Sequence, residues 1–110
     1  MAYAVIAPTK SINGTQVLPV FVTDDIEAAK RVATRRRNEL SAKGWDSWAK
    51  QVKIQSPRTP QAYMELASKV SEYGHALDWA SQGNSFEGQG LINWANILRV
   101  RADELASPEG

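Results

Sequence analysis

A proline stands inside the most β-prone run of the chain, Thr15-Gln16-Val17-Leu18-Pro19-Val20-Phe21-Val22. Its β-branched and aromatic residues fit a pleated, half-buried strand. Pro19 has no N–H to give a ladder, so this strand is confined to a sheet edge or carries a bulge. A shorter apolar strand, residues 3–7, precedes it. The connecting segment PTKSINGT contains Asn13-Gly14, whose access to positive φ suits a tight hairpin turn.

A helix follows. Thr23 or Asp24 is placed to accept the first free N–H groups, and Asp24 with Glu27 has capping-box spacing. Asp24, Asp25 and Glu27 also suit the positive end of the helix dipole. The helix is predicted to run to Lys43, with Gly44 as its stop. From Trp48 the pattern becomes alternation: Trp48, Val52 and Ile54 share one face, with Lys50 the polar intruder. That predicts a third strand. A right-handed crossover places it beside the first, giving sheet order 2-1-3, and this leaves the Pro19 strand at an edge.

SPRTPQ then interrupts the chain, and Thr59-Pro60 reads as a cap with proline at the first helical position. Tyr63, Leu66, Ala67, Val70, Tyr73, Gly74 and Leu77 fall on one stripe, predicting a helix to about Gln82. The glycine-rich stretch 81–90 reads as a flexible connection. A final helix is predicted over 91–106, with Leu91, Trp94, Ala95, Leu98, Ala102 and Leu105 on its core stripe. The expected fold class is α+β: a three-stranded antiparallel sheet (ββαβ, order 2-1-3), one helix packed on it, and a C-terminal helical hairpin. The 110 residues are read as one domain with a basic part, 1–58, and an acidic part, 59–110.

Charge supports that division. Residues 1–58 hold ten Lys/Arg against five Asp/Glu, and residues 59–110 hold three against seven, within a net charge of +1. The absence of cysteine excludes disulfides, thiol catalysis and cysteine-based zinc sites. No apolar run approaches the roughly 20 residues of a membrane helix, and no basic segment precedes the N-terminal apolar run. The expectation is a cytoplasmic protein with no membrane contact.

Candidate sites follow from side chains in excess of the core. Lys30, Arg31, Arg35, Arg37 and Lys43 form a basic helix surface suited to phosphate or an acidic partner. Arg31 and Arg35 point outward, Arg37 lies at the boundary, and Arg36 projects toward the buried side. Trp48 is assigned to the core. Trp45, after the helix stop, is a lid on the core or an interface anchor. Trp79 lies opposite the apolar stripe of its helix and needs cover, either from Phe86 folding back or from a partner. Ile92, Ile97 and Val100 widen the apolar surface of the last helix beyond one stripe.

The remaining features carry no chemistry. His75 with Glu72 and Asp78 spreads over roughly 120° of helix, poor for converging on one metal ion. The G-x-x-x-x-G at 83–88 is followed by Gln89 and Gly90, where a phosphate loop needs Lys and Ser/Thr. No nucleophile, base and acid assemble into a catalytic pattern, so neither enzyme activity nor a cofactor nor a metal is expected. The expected function is a non-enzymatic protein-binding module, a small inhibitor or adaptor of the kind carried by phages and mobile elements, with a homodimer as a variant. The alternative is a nucleic-acid binder using the basic helix, residues 30–43.

Overall fold

The computed structural model of the chain describes residues 1–11 and 14–106. They divide into two compact units, Met1–Ser56 and Pro57–Gly110. The boundary falls two residues before the change in charge at 58/59. The fold is α+β.

In the first unit, β1 (Tyr3–Ser11) pairs antiparallel with β2 (Gly14–Thr23) and with β3 (Lys53–Gln55), in sheet order β2-β1-β3. The Pro19 strand is therefore an edge, and it also carries the irregularity. Val5 pairs with Phe21 and Ile6 with Pro19, leaving Val20 as the extra residue. The ribbon register closes at Ser11 opposite Gly14, where Gly14 adopts φ +97°. Asn13, half of the expected turn pair, lies outside the described residues. As the central strand, β1 buries Ala4, Val5, Ile6 and Ala7.

Helix α1 (Ile26–Ala42) lies on this sheet through Ala29 and Ala33, one turn apart, which join Val5, Ala7 and Val52 in one cluster. Two alanines keep this face of the helix low, which suits close approach to the strand side chains. The N-cap is Asp25, whose Oδ1 accepts the Glu27 N–H at 3.0 Å, in place of the expected Thr23 or Asp24. Thr23 Oγ1 instead accepts the Asp25 N–H. At the other end the Gly44 N–H bonds Ser41 O and the Trp45 N–H bonds Leu40 O, a Schellman closure with Gly44 at φ +78°.

The strand expected from Trp48 is shorter than the alternation implies. Residues Asp46–Ala49 form a single helical turn, α2, with Trp48 and Ala49 N–H groups both donating to Trp45 O. Ala49 and Val52 are buried three residues apart, a helical spacing, and Trp48 is half-buried. Lys50 as an inward intruder marked the point where alternation failed.

In the second unit, α3 (Pro60–Ala80) starts at Thr59, whose Oγ1 accepts the Ala62 N–H at 3.1 Å, with Pro60 in the first turn. It buries Tyr63, Leu66, Ala67, Val70 and Gly74 against α4 (Phe86–Ala106), which buries Gly88, Leu91, Ala95, Leu98 and Ala102. Leu105, expected on this core stripe, is exposed because the last turn of α4 runs past the buried residues.

Helix α4 begins five residues earlier than the glycine-rich sequence suggests. A Cβ placed on Gly88 would lie 2.7 Å from Gly74 O and 2.9 Å from Asp78 N, and one on Gly74 would lie 2.9 Å from Gly88 O. The two backbones touch at this crossing, and only glycine fits. Ser85 caps the helix by accepting the Gly88 N–H at 2.9 Å. Glycines read as loop punctuation are here a packing requirement. Gly88→Ala should lower unfolding free energy by about 1–2 kcal/mol, because backbone overlap outweighs the helix-propensity gain of about 1 kcal/mol. Gly90→Ala meets nothing within 4 Å and should raise it by about 0.5–1 kcal/mol. Urea denaturation of both variants checks the pair.

Candidate functional site

The outward face of α1 carries Glu27, Lys30, Arg31, Thr34, Arg35, Asn38 and Glu39 along one shallow groove. Three cations and two carboxylates share it, and Lys30 Nζ lies 3.7 Å from Glu27 Oε1. The ion pair is exposed and contributes little to stability. Arg37 does not extend this face. Its Nη2 donates to Val52 O at 3.1 Å, fastening α1 to the segment that leads into β3. Lys43 is turned over the Trp45 ring, 5.2 Å from its centroid. Of the five expected basic contacts, Lys30, Arg31 and Arg35 share the outward face, while Arg37 and Lys43 make contacts within the chain. Arg36 is half-buried.

The apolar candidates separate as well. Trp45 is 46% exposed and sits in the first unit beneath Lys43. Ile92 is not available to a partner in the way its sequence position suggests, since its Cγ1 lies 3.1 Å from where a Gly74 Cβ would be. It fills the space that Gly74 leaves. Ile97 and Val100 are exposed, at 39% and 56%, three residues apart on α4. At 1.5 Å per residue they lie about 16–21 Å along the helix from Phe86, too far to form one patch with it.

Trp79 and Phe86 remain together at the loop end of the hairpin. Phe86 does not fold back over Trp79: Trp79 is 80% exposed and Phe86 94%. The loop holds them on either side of a tight closure. The Gly83 N–H bonds Asp78 O at 2.8 Å and the Gln82 N–H bonds Trp79 O at 3.1 Å, with Gln82 at φ +58° and Gly83 at φ +84°. Ser81 Oγ donates to Asp78 O as well. Phe86 occupies the first helical position after the Ser85 cap, so its Cα–Cβ vector is fixed by α4. A groove beside Trp79 is lined by Asp78, Trp79, Ala80, Gln82 and Gly83.

No family model, curated protein or solved structure matches the chain. The assignment of a site therefore rests on the geometry alone.

Asp78 is the site residue that sequence reasoning placed elsewhere, beside His75 as a weak metal partner. It lines the Trp79 groove, and its Oδ1 receives a long 3.5 Å contact from Gln89 Nε2. The signal in the sequence was the absence of any Lys or Arg between Lys69 and Arg99, while Glu72, Asp78 and Glu87 fall inside that interval. Among the described residues no three His, Asp or Glu side chains converge to hold a metal ion. No described helix is long and apolar enough to cross a membrane.

The two roles on α1 separate by stability. Arg37→Ala should lower unfolding free energy by about 1 kcal/mol through loss of the Val52 carbonyl bond. Arg35→Ala should stay within about 0.5 kcal/mol of the parent. Equal effects in thermal or urea melts would show that Arg37 does not tie α1 to the strand segment.

Proposed function

We propose that this protein is a non-enzymatic protein-binding module, a small inhibitor or adaptor that engages a different protein through the loop end of the α3–α4 hairpin. The observation that carries this reading is the exposure of Trp79 and Phe86 together, 80% and 94%, on backbone held by two helix ends. Tryptophan is the residue most enriched where binding energy concentrates, and large aromatics supply contact area with few rotatable bonds. Nothing in the packing of the hairpin requires either ring to be aromatic.

The non-enzymatic part of the reading rests on chemistry the chain lacks by composition. It has no cysteine and a single histidine, His75, which is exposed on α3. A second reading, phosphate contact by Lys30, Arg31 and Arg35, is favoured by their common outward face on α1. Glu27 and Glu39 at either end of that face oppose a polyanion.

The double variant Trp79→Ala/Phe86→Ala should keep its melting temperature and lose capture of the native partner by about 30-fold or more. Unchanged capture with that variant would overturn the hairpin-end interface. Labelled duplex and single-stranded DNA should show no binding at low salt. A steep fall of binding with added salt would instead favour the basic helix.

A further inference from the structure

We infer that the groove at the C-terminal end of α3 receives an arginine side chain of the partner protein, stacked on Trp79 and paired with Asp78. The inference rests on the hairpin-end reading above and names the chemistry of what that end accepts.

Three observations converge. The groove is lined by Asp78, Trp79 and Ala80 at the end of α3 and by Gln82 and Gly83 at the loop turn. An exposed indole and a carboxylate on adjoining residues would offer a guanidinium a ring face and a bidentate acceptor. The groove lies at the negative end of the α3 dipole, and no basic residue occupies the last turn of α3 to offset it. The interval from Ser71 to Leu98 contains Glu72, Asp78 and Glu87 and no lysine or arginine, so no Lys or Arg of this interval competes for Asp78.

Geometry favours a long planar cation over an ammonium. The Gln89 contact to Asp78 is long at 3.5 Å, and the carboxylate has further lone pairs to offer. Arginine stacks on aromatic faces and pairs with carboxylates through two parallel N–H groups, whereas lysine acts as a point charge.

The probe is the short peptide acetyl-Leu-Arg-Leu-amide, with acetyl-Leu-citrulline-Leu-amide as its neutral isostere. Both are titrated into the full chain and followed by the indole N–H and backbone amide signals of a ¹⁵N–¹H spectrum. The Trp79 indole signal is identified by its loss in Trp79→Phe. The arginine peptide should produce saturable shifts at the Trp79 indole and the Gly83 amide, and the citrulline peptide should bind at least about tenfold more weakly. Asp78→Asn should reduce arginine-peptide binding by a similar factor. Equal binding of the two peptides, or no saturable shift at Trp79, overturns the inference, and this comparison uses the unaltered protein, so it stands even if the Asp78 variant fails to fold. Shifts at Trp79 that grow with protein concentration alone would identify a second copy as the occupant and overturn the assignment to a different protein. If Trp79→Ala/Phe86→Ala abolishes partner capture while the arginine peptide has no effect, only the cation chemistry falls and the hairpin-end interface survives.

Discussion

The contact between the backbones of Gly74 and Gly88 decides what the second unit presents. With a Cβ on either residue only 2.7–2.9 Å from the opposing carbonyl oxygen, no other side chain fits without moving a helix. The close crossing lets Ile92 lie over Gly74 and brings the start of α4 beside Asp78. Because the crossing sits near the loop, the connection has only residues 81–85 in which to reverse direction. That shortness imposes positive φ at both Gln82 and Gly83. Left-handed backbone costs a non-glycine residue about 1 kcal/mol. The strain is offset by the two Schellman bonds to Asp78 O and Trp79 O, which tie the turn to α3. Trp79 and Phe86 thus flank this closed turn, one at the end of α3 and one at the start of α4.

The first unit obeys a different constraint, the missing N–H of Pro19. An edge strand with free donors and acceptors invites pairing with another chain, and proline with a bulge is a common defence. Here both occur together, since Val20 is the extra residue next to Pro19 in the ladder with β1. The edge assignment leaves β1 as the centre of the sheet, and β1 accordingly supplies most of its buried residues. Ala29 and Ala33 then let α1 approach closely, which turns Lys30, Arg31 and Arg35 outward by helical geometry rather than by any contact of their own.

What was legible in the sequence follows from which forces are local. Pro19, the Thr59-Pro60 start and the Gly44 stop each act within a few residues of themselves, and the sheet order and helix ends could be read from them. The α3 stripe was equally plain, because burial on one face leaves a 3.6-residue period. Gly88 and Gly90 were not legible. They differ only in what the partner helix places opposite them: Gly88 meets backbone and Gly90 meets nothing. Trp48 misled for a related reason. Alternation over four or five residues fits a strand, yet the Trp48 and Ala49 N–H groups were claimed by Trp45 O in a single turn. A helical wheel puts Arg35 outward and Arg37 at the boundary, but only the position of the Val52 carbonyl shows that Arg37 ties α1 to the strand segment. The site was half legible: Trp79 stood out as an aromatic on a polar face, but the geometry that withholds Phe86 from covering it belongs to the loop.

Magnitudes explain why the proposed interface would need a charged neighbour beside the aromatic pair to be specific. Burying one large aromatic removes roughly 150–250 Å² from water, so the pair is worth on the order of 10 kcal/mol at about 25 cal/mol per Å². Association itself costs an estimated 4–15 kcal/mol in lost translational and rotational freedom. The two rings therefore come close to balancing the cost of binding and leave little to discriminate among apolar surfaces. Discrimination must come from a term that differs between partners, and a carboxylate at a dipole-negative helix end supplies one, since it disfavours any surface lacking a cation to pair with it. Consecutive positions at the end of α3 fix the Cα–Cβ vectors of Asp78 and Trp79 before a partner would arrive. In the proposed interface the ordering cost would then be confined to the side chains, and the selectivity of the charged group would be expressed where the aromatic surface is buried.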